Sequence, residues 1–254
     1  VMSGDNWTLT GITGRNDTGI VKCSGHLDRR SGERGVLTLE LAGSEVVLDQ
    51  ELRDALPVGI RRFWDDLAPR GKADFVATVK HTVGRQKTEV VLDATPHANT
   101  VSIEPVWFPY RLEKLQGKLT WNNGLLQLGG WRGVHARTTV STEGNCRFLP
   151  DGSWHVSLSH LSADRFRADH ELLRALPDGL QEVLSTVGPN GLLSIDGSLD
   201  IYSTNVAQEE SKKGLCAASW DCHLDVEQGC FDIGVALNNV HGGLSLRGST
   251  DGQR

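Results

Sequence analysis

The chain has 254 residues, of which 38% are hydrophobic and 23% are charged, and its formal net charge is −6. A chain of this length buries enough apolar surface for one large all-β domain or two ordinary ones. The negative charge provides no basic field for phosphate backbones, which argues against a nucleic-acid partner, and no apolar run reaches the roughly 18 residues of a membrane-spanning helix.

The first part of the chain is predicted to form strands. Residues 7–28 alternate apolar and polar side chains around glycines and turn residues, which indicates two short strands. Leu37, Leu39 and Leu41 then alternate with Thr38, Glu40 and Ala42. This alternation predicts a third strand with one buried and one wetter face.

Residues 51–71, ELRDALPVGIRRFWDDLAPRG, are predicted to be an interrupted helix. Asp49 is a plausible N-cap, and Pro57 suits the first turn of a second helix but not a helix interior. We therefore expect a short helical turn, a break and a helix to about Leu67. The apolar residues of the second part follow the i, i+3, i+4, i+7 spacing of one helix face: Ile60, Phe63, Trp64 and Leu67.

Alternating segments after this helix predict a meander of further strands. The predicted strands are 75–81, 87–93, 100–104, 115–122, 125–130, 136–142, 155–161 and 193–201. Asn123-Gly124 is a strong hairpin signal. Beyond a polar loop at 205–213, residues 217–225 and 230–237 are predicted to pair as another hairpin.

The helix sequence returns 120 residues further on, as ELLRALPDGLQEVLSTVGPNG at 171–191. Upstream, Gly11 and Gly14 return as Gly130 and Gly133, and downstream LEKLQGKLTW at 112–121 returns as LNNVHGGLSL at 237–246. Such a period indicates a repeat protein. We predict unit 1 at 1–124, with its helix near 50–67, and unit 2 at 125–243, with its helix near 170–187. Residues 244–254 would begin a third unit of a longer protein.

The predicted fold class is mainly β: an elongated antiparallel sheet built from repeats of about 120 residues, each with one amphipathic helix. One-sided apolar strands must cover that face with a sheet, a helix or a bound apolar molecule. These residues could equally fill a closed core. The helix could cover a sheet face or edge, act as a lid, or dock on a membrane surface or a partner. The candidate lining is Leu37, Leu39, Leu41, Leu115, Leu119, Trp121, Ile195, Leu199, Ile201, Phe231, Ile233, Val235, Leu244 and Leu246.

The helix pattern and the strand pair FPYRLEKLQGKLTWNNG at 108–124 resemble the AsmA-like and TamB-like proteins of bacterial envelopes. The resemblance spans nearly the whole chain. It implies a long sheet curled into an apolar groove for phospholipid acyl chains, located in the periplasm or cell envelope. It further implies flanking repeats in the same parent chain, a membrane anchor outside this segment, and a role in inter-membrane phospholipid transport or outer-membrane assembly. The substantial helix in each unit departs from a plain groove.

Two other functional classes are compatible with the sequence. A β-rich scaffold or adhesin would bind protein or glycan at exposed strand edges, with Trp107, Trp131 and Trp154 either stacking on sugars or packed at strand ends. A hydrolase would need a cluster such as His135, His155 and His160 with Asp164 and Asp169, but the chain contains no nucleophile elbow, phosphate loop or metalloprotease motif. We therefore predict a non-enzymatic protein.

The five cysteines do not suggest a metal site or a disulfide framework. They are an odd number and contain no C-x-x-C pair. Cys222 beside His223, with Cys216 and Cys230 near in sequence, could ligate zinc, but the sequence favours three small hydrophobic residues on neighbouring strands. No cofactor and no metal are predicted.

Overall fold

Strands pair one after another in chain order to form a single open antiparallel sheet. The computed structural model describes residues 2–3, 6–29, 35–84, 88–176, 181, 190–203, 216–232 and 235–251. Thirteen strands and three helices lie in these residues, and the mainly β fold class is confirmed. The strands are β1 (Met2–Ser3), β2 (Asn6–Asn16), β3 (Gly19–Asp28), β4 (Val36–Val47), β5 (Lys72–Thr82), β6 (Thr88–Pro96), β7 (Glu113–Asn122), β8 (Leu125–His135), β9 (Thr138–Phe148), β10 (Trp154–Phe166), β11 (Asn190–Ser203), β12 (Cys216–Asp232) and β13 (Ala236–Thr250). The helices are α1 (Gln50–Ala55), α2 (Val58–Leu67) and α3 (His170–Ala175).

The helices begin and break where the sequence indicates. Asp49 caps α1 by accepting a hydrogen bond from the Leu52 N–H at 2.9 Å, and Asp169 caps α3 by accepting one from the Leu172 N–H at 2.8 Å. Pro57 separates α1 from α2 as predicted. Of the second predicted helix, residues 177–180 and 182–189 lie outside the described residues.

The strand prediction for 100–104 is wrong. This segment makes only isolated bridges, between Arg70 and Ser102 and between Ile103 and Leu112. The N–H of Glu104 donates to the carbonyl of Leu67 at the C-terminus of α2. Because its backbone groups satisfy the end of a helix, the segment does not extend the sheet.

The hairpin predicted from 217–225 and 230–237 is also wrong. Cys230 continues β12, which runs to Asp232, and the return strand β13 begins only at Ala236. The register shifts on either side of Gly229, next to Gln228 at φ 54°, so a bulge carries the strand through a sequence that resembles a turn.

Irregularities of the sheet recur at the spacing of the sequence repeat. β2 and β8 each shift register beside a left-handed glycine, Gly11 at φ 70° and Gly130 at φ 59°. β7 and β13 contain the equivalent pair Gly117 at φ 129° and Gly242 at φ 159°. Bulges increase local twist and bend a strand, so both halves of the sheet are curved by irregularities at equivalent positions.

Candidate functional site

The register of the sheet aligns apolar side chains from strand to strand. Directly opposed residues of antiparallel strands point to the same face. One such row crosses every strand from β2 to β13 and is apolar except at its last member. In order, the row is Ile12, Cys23, Leu41, Ala77, Leu92, Trp121, Leu126, Cys146, Val156, Ile201, Ala218 and Thr250.

A second apolar row runs beside the first on the same face. Its members are Gly14, Val21, Gly43, Phe75, Ala94, Leu119, Leu128, Gly144, Leu158, Leu199, Trp220 and Gly248. Two of the glycines accommodate a large neighbour. A Cβ on Gly43 would collide with the ring of Phe75, and one on Gly248 would lie 2.6 Å from the ring of Trp220. The rings cover the glycines and keep the face apolar.

The row between these two points to the other face and is mostly polar. It consists of Thr13, Lys22, Ala42, Val76, Asp93, Thr120, Gln127, Asn145, Ser157, Asp200, Ser219 and Ser249. The sheet therefore has one apolar and one polar face along its whole width, as expected when only one face is shielded from water.

The apolar face forms one wall of a cavity of about 1870 Å³. α1, α2, α3 and the β6–β7 connection, residues 97–112, contribute most of the other lining residues. The volume exceeds the upper end, about 1,000 Å³, of small-molecule pockets. Among the described lining residues, Arg132 is the only one with a charged side chain. We call this cavity the groove.

Helix α2 lies over the groove and packs against strands of the following unit. The ring of Phe63 makes edge contacts with Phe148 and Trp154, at centroid distances of 5.3 and 5.2 Å. Trp154 is 1% exposed, and its Nε1–H donates to Asp66 Oδ2 at 3.1 Å. Burial raises the pKa of Asp66, although this hydrogen bond opposes the shift. Of the roles left open by the sequence, α2 has that of covering the sheet face in this structure.

The outer side of the helix pair is polar. The Arg53 guanidinium of α1 donates from Nε and Nη2 to the two carboxylate oxygens of Asp65 in α2, both at 2.5 Å. Such a two-pronged contact fixes the angle between the two helices across the Pro57 break. The apolar residues Leu52, Leu56 and Ile60 of the same segment face the groove.

The structure places the candidate lining residues in three ways. Those of β7, β11 and β13 border the groove: Leu115, Leu119, Trp121, Ile195, Leu199, Ile201, Leu244 and Leu246. Leu37, Leu39 and Leu41 of β4 lie on the apolar face of the sheet, where β4 pairs with β5, but they do not border the groove. Val235 lies immediately before β13 and is 67% exposed, so its predicted place on a strand face is wrong. Ile233 and the side chain of Phe231 lie outside the described residues.

Sequence reasoning missed the lining residues that do not lie in strands. Val101 and Tyr110, both buried, border the groove from the β6–β7 connection. Alternation cannot identify such positions, because the connection has no regular period. Its concentration of aromatic residues, VWFPY at 106–110, is the signal that could have identified it.

The tryptophans considered for sugar stacking are anchored in the protein. Trp154 belongs to the core beneath α2, and Trp107 packs against the same core with its Nε1 buried and unpartnered. Trp131 borders the groove, and its Nε1–H donates to the carbonyl of Lys118 at 2.9 Å. For Trp154, packing at a strand end is therefore the correct alternative.

The histidines considered for catalysis have separate partners. His155 Nε2 lies 2.9 Å from Asp200 Oδ1, and the His155 ring stacks on Tyr202. His135 Nε2 lies 3.0 Å from Glu171 Oε2. His160 borders a smaller cavity of about 460 Å³. Among the described residues, no group of three or more His, Cys, Asp or Glu side chains is placed to hold a metal ion.

No family model, curated protein or solved structure matches the chain. Within the described part of the chain, no helix has the length and apolar character needed to cross a bilayer.

The Cys146 thiol, in the core cluster beneath α2, is expected to resist alkylation. Cys146 is fully buried, and burial raises its pKa to about 12, whereas Cys230 is exposed. Because the thiolate is the reactive form, iodoacetamide at about pH 8 should modify Cys230 in the native protein and Cys146 only after unfolding. Peptide mass mapping with and without urea measures this difference. Comparable rates for the two thiols without urea would show that Cys146 is accessible to solvent.

Proposed function

We propose that the chain is a non-enzymatic carrier of phospholipid acyl chains and that the groove is the binding site. It would act as a segment of a periplasmic or cell-envelope protein, anchored outside this segment, in inter-membrane phospholipid transport or outer-membrane assembly. The supporting observation is the pair of apolar rows that cross twelve strands, from β2 to β13, without a charged residue.

The chemistry of the groove suits a long, flexible, apolar ligand. Small-molecule sites position a few convergent polar groups that orient the ligand. Here the described lining offers a continuous apolar wall and a single charged side chain, that of Arg132. Each buried methylene contributes about 0.8 kcal/mol, so ten of them would contribute on the order of 8 kcal/mol before entropic costs.

The helix cover fits the same role. Leu52, Ile60 and Phe63 continue the apolar lining opposite the sheet, so an acyl chain beneath α1 and α2 would have apolar contacts on more than one side. Contact on several sides increases the apolar area removed from water and hence the binding free energy.

Native mass spectrometry with lipid extraction tests the proposal, using protein purified in mild detergent. The wild type is expected to retain phospholipid. Leu119→Asp and Ile195→Asp should abolish retention while circular dichroism shows an intact fold, because each places a carboxylate on the apolar wall. Val76→Asp and Val91→Asp are matched controls on the opposite face, where these valines are 62% and 43% exposed.

A folded, monodisperse wild type that carries no lipid would overturn the proposal. The apolar faces would then close on each other, and the scaffold or adhesin class would replace the carrier. Equal lipid loss in Val76→Asp and Leu119→Asp would likewise contradict a binding site on one face.

A further inference from the structure

Each unit joins the beginning of its helix to the end of a strand through one polar contact. In unit 1, Asn16 Nδ2 at the end of β2 donates to Glu51 Oε2 at 3.0 Å. In unit 2, His135 Nε2 at the end of β8 lies 3.0 Å from Glu171 Oε2. The two glutamates are equivalent in the sequence repeat, and so are the two strand ends. The same contact is thus made by an amide in one unit and by an imidazole in the other.

The partners of His135 require hydrogens on both ring nitrogens. Its Nδ1 lies 2.7 Å from the carbonyl oxygen of Arg111, and its Nε2 faces the Glu171 carboxylate. A carbonyl and an ionised carboxylate can only accept. The protonated ring donates to both, whereas a neutral ring carries one hydrogen and leaves one acceptor without a donor.

The neighbouring guanidinium of Arg111 does not replace the imidazole as the donor to Glu171. It is directed to Glu113 and Ser102, at 3.4 and 3.3 Å. Tyr110 stacks on the imidazole at a centroid distance of 3.7 Å. Burial, together with the charges of Asp169 and Glu171, raises the pKa of Tyr110 to about 12, so this phenol stays neutral throughout the range in which histidine titrates.

Helix α3 forms part of the groove wall. Leu172 and Leu176 border the groove, and Leu172 packs against the cluster of Ala163, Phe166 and Leu193. The side chain of His135 is only 12% exposed, whereas that of Glu171 is 67% exposed. The contact therefore links a fixed position on β8 to the solvent side of α3.

We infer that His135 and Glu171 form a pH-sensitive tether that holds α3 against the groove when the imidazole is protonated. Loss of that proton leaves one of the two acceptors without a donor, so the tether weakens as pH rises. The Asn16–Glu51 contact of unit 1 has an amide donor, which carries no titratable proton. That the tether controls lipid access rests on the proposed function. That it holds α3 against the groove wall does not.

Hydrogen exchange measured by mass spectrometry at about pH 5.5 and about pH 8, corrected for intrinsic exchange rates, tests the tether on the ligand-free protein. The protection of peptides covering α3 is expected to fall about two- to fivefold at the higher pH, which is the range for loss of a partly exposed ion pair. The protection of peptides covering α1 should be the same at both pH values. His135→Asn, which installs the side chain of unit 1, should abolish the effect.

Equal α3 protection at both pH values in the wild type would overturn the tether, as would a pH effect that persists in His135→Asn. Binding of a fluorescent fatty acid at the same pH values separates the two proposals. Absence of binding at both values, with the exchange effect present, overturns the lipid function and supports the tether. Binding that is weaker at low pH only when His135 is present supports both.

Discussion

Trp154→Ala is expected to lower the free energy of unfolding by about 3–5 kcal/mol, the range for truncating a buried aromatic side chain. Trp154 is 1% exposed and contacts the ring of Phe63. Its removal leaves a cavity beneath α2 and deprives Asp66 of a hydrogen-bond donor. Urea denaturation followed by circular dichroism measures the change.

Two control variants separate these contributions. Trp154→Phe keeps an aromatic ring against Phe63 but removes the N–H, so a smaller loss of about 1 kcal/mol is expected. Leu149→Ala, nearby in sequence and 49% exposed, should change stability by less than about 0.5 kcal/mol. A Trp154→Ala protein as stable as Leu149→Ala would contradict the contact between α2 and β10.

Gly117→Ala is expected to lower the free energy of unfolding by about 2–4 kcal/mol. Gly117 has φ 129°, a conformation that an alanine adopts only under strain, and a Cβ there would lie 2.9 Å from the Cα of Trp131. The neighbour is backbone of β8, which cannot move without disturbing the strand pairing. Backbone strain and overpacking therefore add.

Gly242 provides the matched control for Gly117, because the two glycines are equivalent in the repeat. Gly242 has φ 159°, and a Cβ there would meet nothing within 4 Å. Gly242→Ala therefore carries only the backbone contribution, about 1 kcal/mol. The difference between the two unfolding free energies measures the contact with β8 together with the greater backbone strain at φ 129°. Equal losses would show that this contact has no energetic effect.

Elements that depend on local chemistry could be predicted from the sequence. The N-caps Asp49 and Asp169, the break at Pro57 and the strands around the Asn123-Gly124 turn each depend on a few adjacent residues. The strand prediction for 100–104 failed because its backbone partners belong to α2, and no pattern within that segment reveals them.

The register of the sheet could not be obtained from alternation alone. A bulge shifts every later residue of its strand relative to the partner, and several bulges lie between Ile12 and Thr250. The contact of Phe63 with Phe148 likewise joins residues far apart in sequence. Alternation therefore identified groove residues on β7 and β11 but could not show that Leu39 lies on the correct face outside the groove.

The packing of α2 bears on how the protein unfolds. Each strand pairs only with its neighbours in sequence, so the sheet alone is quasi-one-dimensional, and its halves could separate independently. Phe63 belongs to unit 1, yet it inserts between Phe148 and Trp154 of unit 2. Loss of either unit would expose this aromatic cluster. α2 therefore couples the two units into one cooperative transition, whereas the sheet alone would allow each to unfold in its own step.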